Sequence, residues 1–268
     1  MNLLLSNDDG VFSAGMLALA RELAPHHNIR IVAPDTQRSG AGHGVTFVTP
    51  VRVKKVTLPD LPDVPAYEAS GTPADCVRLG CTGLDFDVDM VISGINHGAN
   101  LGSDVLYSGT VGAAMEGALL GLPAIATSSY NHFTIDFSAA ARATLLAIEY
   151  VRKHPLPKGM ILNLNAPELP ISEIKGIKFA GLCLQTYDAK YAKFDDPFGM
   201  TYYWMPIEKS STAFEQCDKN YDESWVREGY VTLTPIHYDI TNYAYLKTMR
   251  PEDFDFNAFK EGKGNGHD

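Results

Sequence analysis

Leu3-Leu4-Leu5, a helical pattern beginning near Ala14 and the run Ile29–Ala33 follow one another in quick succession. No other feature of the chain restricts its fold as much. Short apolar runs without alternation read as strands buried on both faces. Between them, Met16, Leu17, Leu19, Ala20 and Leu23 recur at helical spacing over Ala14–Ala24, and Pro25 stops the helix. Pro34 closes the second strand. Strand, helix and strand at this spacing make a βαβ unit, which is right-handed almost without exception. The expected class is α/β, a three-layer Rossmann-like, doubly wound and mostly parallel sheet. At 268 residues the chain holds one large domain of this kind with an appendage.

The first strand runs directly into Asn7-Asp8-Asp9-Gly10, at the carboxyl end where open α/β sheets bind their ligands. Neighbouring side chains of an extended strand point to opposite faces. Asp8 and Asp9 therefore converge only if the strand has already turned, which Asn7 and Gly10 favour. Two convergent carboxylates need a proton or a bridging cation. The alternative is an N-cap pair for the following helix.

Further along the chain, loops of the same kind recur. Arg38-Ser39-Gly40-Ala41-Gly42-His43-Gly44 follows the second strand, with a hydroxyl and three glycines that allow close backbone approach, or simply a flexible surface loop. Val45–Leu58 suggests one or two strands. Thr72 and Pro73 mark a helix start that serves packing or faces the site. Asp89–Asn96 is another buried strand, ending on an oxygen donor. Ser108-Gly109-Thr110 opens a helix of small residues, with exposed amides, two hydroxyls and the positive dipole end suited to an anion. A strand at Pro123–Thr127, a helix over Phe137–Val151 and a strand at Met160–Leu164 complete a core assigned to residues 1–170.

Beyond Pro170 the texture changes. Ile174–Leu182, Tyr202–Ile207 and Gly229–Leu233 read as antiparallel strands, rich in aromatics and joined by acidic loops. Residues 171–261 are expected to form a β-rich C-terminal arm that covers the core or a neighbouring subunit, and residues 262–268 a disordered tail.

A net charge of −10 without lysine or arginine clusters argues against nucleic-acid polymers and anionic membranes as partners. No apolar run approaches the roughly 18 residues of a membrane span and no leader precedes the first strand, so a cytoplasmic protein is expected. Cys76, Cys81, Cys183 and Cys217 show no CxxC spacing and read as free structural thiols.

Asp8, Asp9, Ser39 and Asn96 are all oxygen donors near strand ends. Such hard ligands select Mg²⁺ or Mn²⁺, with Ca²⁺ as a further candidate, at one cation per subunit. An anion cradle formed by Ser39, Gly40, Asn96, Ser108, Gly109 and Thr110 beside that cation suggests phosphoryl transfer to water. In that scheme metal-activated water attacks directly, Asp8 or Asp9 accepts the proton, and Asn96 serves both metal and phosphate. The signatures of a Walker loop and of a dinucleotide fold are missing. A non-catalytic nucleotide-binding or regulatory protein on the same fold is the rival.

The motifs Asn7-Asp8-Asp9-Gly10, Arg38-Ser39-Gly40, Gly71-Thr72-Pro73-Ala74-Asp75-Cys76, Ser93-Gly94-Ile95-Asn96, Gly98-Ala99-Asn100-Leu101-Gly102 and Tyr107-Ser108-Gly109-Thr110-Val111 together resemble the SurE family of survival-protein nucleotidases. The likeness continues through Ile161–Pro167, Tyr203-Trp204 and Glu228–Pro235. It implies a divalent-metal-dependent 5′-nucleotidase with nucleoside 5′-monophosphates as substrates. It also implies metal ligands at Asp8, Asp9, Ser39 and Asn96, and a homodimer or homotetramer that exchanges its C-terminal arm. Phe12 and Gly44 depart from the family's common residues.

Overall fold

The computed structural model describes residues 1–130, 136–183, 190–205 and 220–253. In chain order the elements are β1 (Asn2–Ser6), α1 (Ala14–Leu23), β2 (Asn28–Pro34), β3 (Val53–Leu58), β4 (Leu61–Ala69), α2 (Pro73–Thr82), β5 (Met90–His97) and α3 (Gly109–Leu119). There follow β6 (Ala124–Tyr130), α4 (Ser138–Lys153), β7 (Met160–Pro167), β8 (Ile177–Phe179), β9 (Ala192–Asp195), β10 (Thr201–Trp204), α5 (Asp222–Arg227), β11 (Val231–His237) and α6 (Tyr243–Leu246).

Nine strands share one sheet in the order β3-β4-β2-β1-β5-β6-β7-β11-β8. From β4 to β7 every pairing is parallel. Leu3 and Leu5 face one layer, where α1 and α4 pack together through Met16, Leu19, Leu23, Ala140 and Ile148. Leu4 faces the other, where α2 and α3 supply Cys76, Val77, Val111 and Ala114. A strand buried on both sides has no polar face to spare, which is why the leucine run does not alternate. The α/β class and the three layers are as expected.

The chain winds outward from β1 in both directions, through β2 on one side and through β5 on the other. The point of reversal lies between β1 and β5, and ligand crevices of open sheets form at the carboxyl ends of strands at such a point.

The C-terminal strands were expected to be antiparallel and to cover the core or a neighbouring subunit; two of them join the main sheet, one of them parallel to its neighbour. β11 enters the main sheet antiparallel to β7, pairing Thr232 with Asn165 and Thr234 with Asn163. β8 lies parallel to β11, pairing Val231 with Ile177. The physical reason is burial: Val231 through Thr234 are all buried, so this run covers the open edge of β7. A separate antiparallel hairpin does form, between β9 and β10, with Phe194 stacked on Tyr202 at 5.6 Å. The sequence reading had no strand at β9, whose Ala-Lys-Phe-Asp carries no apolar pattern. Part of the expected strand Tyr202–Ile207 lies outside the described residues, as does the tail 262–268.

Cys183 is disulfide-bonded, which corrects the expectation of four free thiols; Cys76 and Cys81 are free. Disulfides join residues distant in sequence, so the lack of CxxC spacing carried no information about this one. Among the described residues no helix is long and apolar enough to cross a membrane. Met1–Tyr238 form one compact unit and Asp239–Asp268 a second. In the second, Asn242 caps α6 by accepting from the Tyr245 N–H at 2.9 Å.

Candidate metal centre

The turn after β1 is tied by Asn7. Its side-chain oxygen accepts from the Gly10 N–H at 3.1 Å, while its amide nitrogen donates to Gly10 O at 3.0 Å and to Ser13 Oγ at 2.7 Å. Both ends of a fully buried amide are thereby satisfied. Gly10 has φ +102°, a conformation that favours glycine, and this allows the chain to fold back on itself here. Ser13 then caps α1 through the Met16 N–H. The carboxylates Asp8 and Asp9 thus lie in the turn before the cap and do not themselves cap the helix, the alternative raised by the sequence.

Asp8 is only 4% exposed, and Thr110 Oγ1 donates to its Oδ1 at 2.5 Å. Gly109 lies against the same carboxylate: a β-carbon there would stand 2.8 Å from Asp8 Cβ and 3.0 Å from Oδ2. The start of α3 is therefore packed onto Asp8, and only glycine at 109 allows it. Burial pushes the Asp8 carboxyl up to about 6, the negative charge of Asp9 adds to the rise, and the Thr110 hydroxyl partly offsets it.

Asp9 is half-buried and is held from two sides. Gln37 Nε2 donates to Oδ1 at 3.2 Å, and the His97 N–H donates to Oδ2 at 3.2 Å. The same Gln37 amide donates to Ser39 Oγ at 3.0 Å, which links Asp9 to the Gly-rich loop. That loop is anchored at its base by the Arg38 N–H, which donates to Asp8 O at 2.7 Å. Asn96 stands next to His97 at the end of β5. Its Nδ2 donates to Gly98 O at 2.8 Å, which leaves Oδ1 as the acceptor end of the amide.

The loops after β1, β2 and β5, together with the first turn of α3, thus meet at the reversal point of the sheet. Gly40 is exposed with φ +76° and open space around its α-carbon. Ser108 Oγ is engaged in capping α3, accepting from the Val111 N–H at 3.1 Å. The sequence suggested that Ser108 and Thr110 would offer their hydroxyls to a phosphate. Here the Thr110 proton goes to Asp8, while Ser108 keeps its own O–H free to donate.

Among the described residues no group of three or more His, Cys, Asp or Glu side chains is arranged for a metal ion. A cation at this position would be held by two carboxylates together with the neutral oxygens of Ser39 and Asn96. The donor chemistry fits a hard divalent ion. The electrostatics fit as well, since a buried carboxylate pushed up beside a second one marks an excess of negative charge that a cation would relieve.

The Thr110 contact leads to a prediction. Thr110→Val keeps the β-branched shape but removes the hydroxyl that favours ionised Asp8. If Asp8 must be ionised for turnover, the acid limb of the pH–rate profile should move to higher pH. The rate should drop roughly tenfold on the acid limb and little on the alkaline side. A profile superimposable on that of the parent chain would remove Asp8 from the chemistry.

Gln37 carried no expectation from the sequence, whereas Asn7 was expected to favour the turn after β1. Asn7 had a local signal, an Asn three residues before a glycine in a turn. Gln37 had none, because its contact with Asp9 spans 28 residues of sequence.

A family model described as Survival protein SurE matches residues 3–189. The 5′-nucleotidase SurE of Synechococcus sp. (strain JA-3-3Ab) is 45% identical over 253 residues, covering 93% of this chain and 96% of that protein. The 5′-nucleotidase SurE of Syntrophomonas wolfei subsp. wolfei is 40% identical over 271 residues, covering 100% of this chain and 99% of that one. Among solved structures, the crystal structure of Sure protein from Aquifex aeolicus superposes with a TM-score of 0.80 at 38% identity, covering 95% of this chain and all of that one.

Proposed function

The chain belongs to the SurE family, and from that premise we propose that it is a divalent-metal-dependent 5′-nucleotidase that hydrolyses nucleoside 5′-monophosphates to nucleoside and phosphate. The observation that carries this reading is the meeting of Asp8, Asp9, the Ser39 loop and the Asn96 turn at the reversal point of the sheet, beside the amino end of α3. In this reading Asp8, Asp9, Ser39 and Asn96 hold Mg²⁺ or Mn²⁺. Such a cation supplies Lewis-acid polarisation of a phosphoryl oxygen and lowers the pKa of a nearby water.

The chain's own residues do the rest. Water oxygen bonds to phosphorus as the ester P–O bond breaks; the water proton passes to a carboxylate and from there to the leaving 5′-oxygen, which departs as the nucleoside hydroxyl. Asp8 or Asp9 accepts that proton; burial raises Asp8 in the metal-free chain, and a bound cation would lower it again. Thr110 fixes the orientation of Asp8. The positive end of α3 and the Ser108 hydroxyl face charge that grows on the phosphoryl oxygens, while the Val111 amide is held by Ser108 Oγ. Gly40 in the Ser39 loop leaves the backbone open for the substrate to approach.

We further assign the aromatic surface of the β9–β10 hairpin, where Tyr202, Tyr203 and Trp204 are exposed, to self-association of the chain. The C-terminal arm would take part in a homodimer or homotetramer.

The test is phosphate release from AMP and from a panel of nucleoside monophosphates, with Mg²⁺ or Mn²⁺ and with EDTA. Metal-dependent release is expected. If nucleotide binds but no phosphate appears with either metal, the non-catalytic binding reading replaces this one.

A further inference from the structure

Glu116 is a carboxylate on the buried face of α3, 1% exposed, and the chemistry above does not use it. A buried carboxylate is costly unless it is paired. Two side chains from different elements pair with it. His43 Nε2 lies 2.8 Å from Glu116 Oε2, and the Arg78 guanidinium of α2 pairs with Oε1.

His43 belongs to the Gly-rich loop that carries Ser39. One helical turn before Glu116, Gly112 lies under the same loop, where a β-carbon would stand 2.3 Å from Gly42 O. The Gly42 N–H donates to Tyr107 O at 3.0 Å. Loop and helix therefore touch along one face of α3, at Gly112 through backbone and at Glu116 through His43.

Within the loop, Gly40 and Gly42 have positive φ, and Ser39 itself is exposed, so little in the loop's own sequence fixes its path. It is held at its base by Arg38 on Asp8 O, and at its far end by Thr72 Oγ1, which donates to Gly44 O at 2.7 Å. Between these, the Gln37 amide joins Ser39 to Asp9, and His43 ties the far half of the glycine-rich stretch to Glu116 on α3. An imidazole can donate its Nε2 proton to the carboxylate in either charge state, so the tether does not depend on protonation.

We propose that Glu116 is a positioning residue: through His43 it anchors the Gly-rich loop to α3 and so fixes where Ser39 stands relative to Asp8 and Asp9. This rests on the reading of Ser39 as a metal ligand. Glu116 touches neither substrate nor metal and acts only through the loop.

The test compares the full chain with His43→Ala, His43→Gln and Arg78→Ala. The readouts are amide hydrogen exchange over residues 38–44 and calorimetric Mn²⁺ affinity of the metal-stripped protein. His43→Ala should speed exchange across the loop and weaken Mn²⁺ about tenfold, with a loss of melting temperature no greater than that of Arg78→Ala. His43→Gln, which still reaches Glu116 with a donor, should recover most of both. Arg78→Ala removes the other partner of the same carboxylate. It should lower stability while leaving loop exchange and Mn²⁺ affinity close to the parent values.

Parent-like exchange in His43→Ala overturns the tether, as does an Arg78→Ala chain that loosens the loop equally. If the parent chain binds no Mn²⁺, the metal reading fails separately. Exchange then decides the tether alone: a loop loosened in His43→Ala and not in Arg78→Ala upholds the anchoring of the loop.

Discussion

Asp9→Asn should abolish metal-dependent phosphate release, by two or more orders of magnitude, in a chain that folds normally. The carboxylate oxygens accept from Gln37 Nε2 and from the His97 N–H. Asparagine keeps the shape but turns one of those oxygens into a donor that faces another donor. It also removes half of the negative charge that would hold a dication. Because Asp8 and Asp9 repel each other in the metal-free protein, the variant should melt no earlier than its parent. The measurement is AMP turnover with saturating Mg²⁺ or Mn²⁺ beside a thermal melt. Retained turnover would remove Asp9 from the centre and require a different metal ligand.

Asp8→Asn should have the opposite effects on function and on stability. In the folded chain the Asp8 carboxyl is raised to about 6 from an ordinary value of 3.8, chiefly by burial. A raised folded value means that ionisation costs more in the folded chain than in the unfolded one. The penalty is absent below about pH 4, grows as pH rises through the folded value near 6, and is complete above it. A shift of this size corresponds to about 3 kcal/mol at full ionisation. Asparagine never ionises, and its side-chain oxygen can still accept from Thr110.

The metal-free variant should therefore melt roughly 5–10 °C above its parent at pH 8, and the two should converge near pH 4. Divalent cation should raise the parent's melting temperature and leave the variant's unchanged. Melts of both chains across pH, with EDTA and with Mn²⁺, check all three statements. Parallel pH dependence in the two chains would mean that Asp8 is not the group that titrates.

What the sequence revealed about this protein was largely local. Thr72 caps its helix as its position suggests, because a cap is written within four residues of chain; Ser13 caps α1 in place of the aspartate pair the sequence offered, and Ser108, read as part of an anion cradle, caps α3. The β1 turn was readable for the same reason: Asn7 and Gly10 carry its chemistry between them. The four oxygen donors were proposed from their place at strand ends; Gln37 and His97 bring the loops of Asp9, Ser39 and Asn96 to one region.

Partners distant in sequence were not readable. Thr110 was assigned to a phosphate, yet its hydroxyl is bound to Asp8, 102 residues away. His43 and Glu116 are 73 residues apart, and nothing in either motif names the other. The antiparallel pairing of β11 with β7 was missed because the apolar pattern of a strand states that it is buried but not which edge it joins.

That pairing affects how the chain reaches its folded state. Until Val231–His237 has emerged from the ribosome, the edge of β7 from Met160 to Asn165 has no neighbour on that side. An unsatisfied hydrogen-bonding edge on a largely assembled parallel sheet invites pairing with a strand from another nascent copy. The last sheet strand to be synthesised thus acts as a seal, and the interval before it arrives is when newly made chains are most exposed to aggregation.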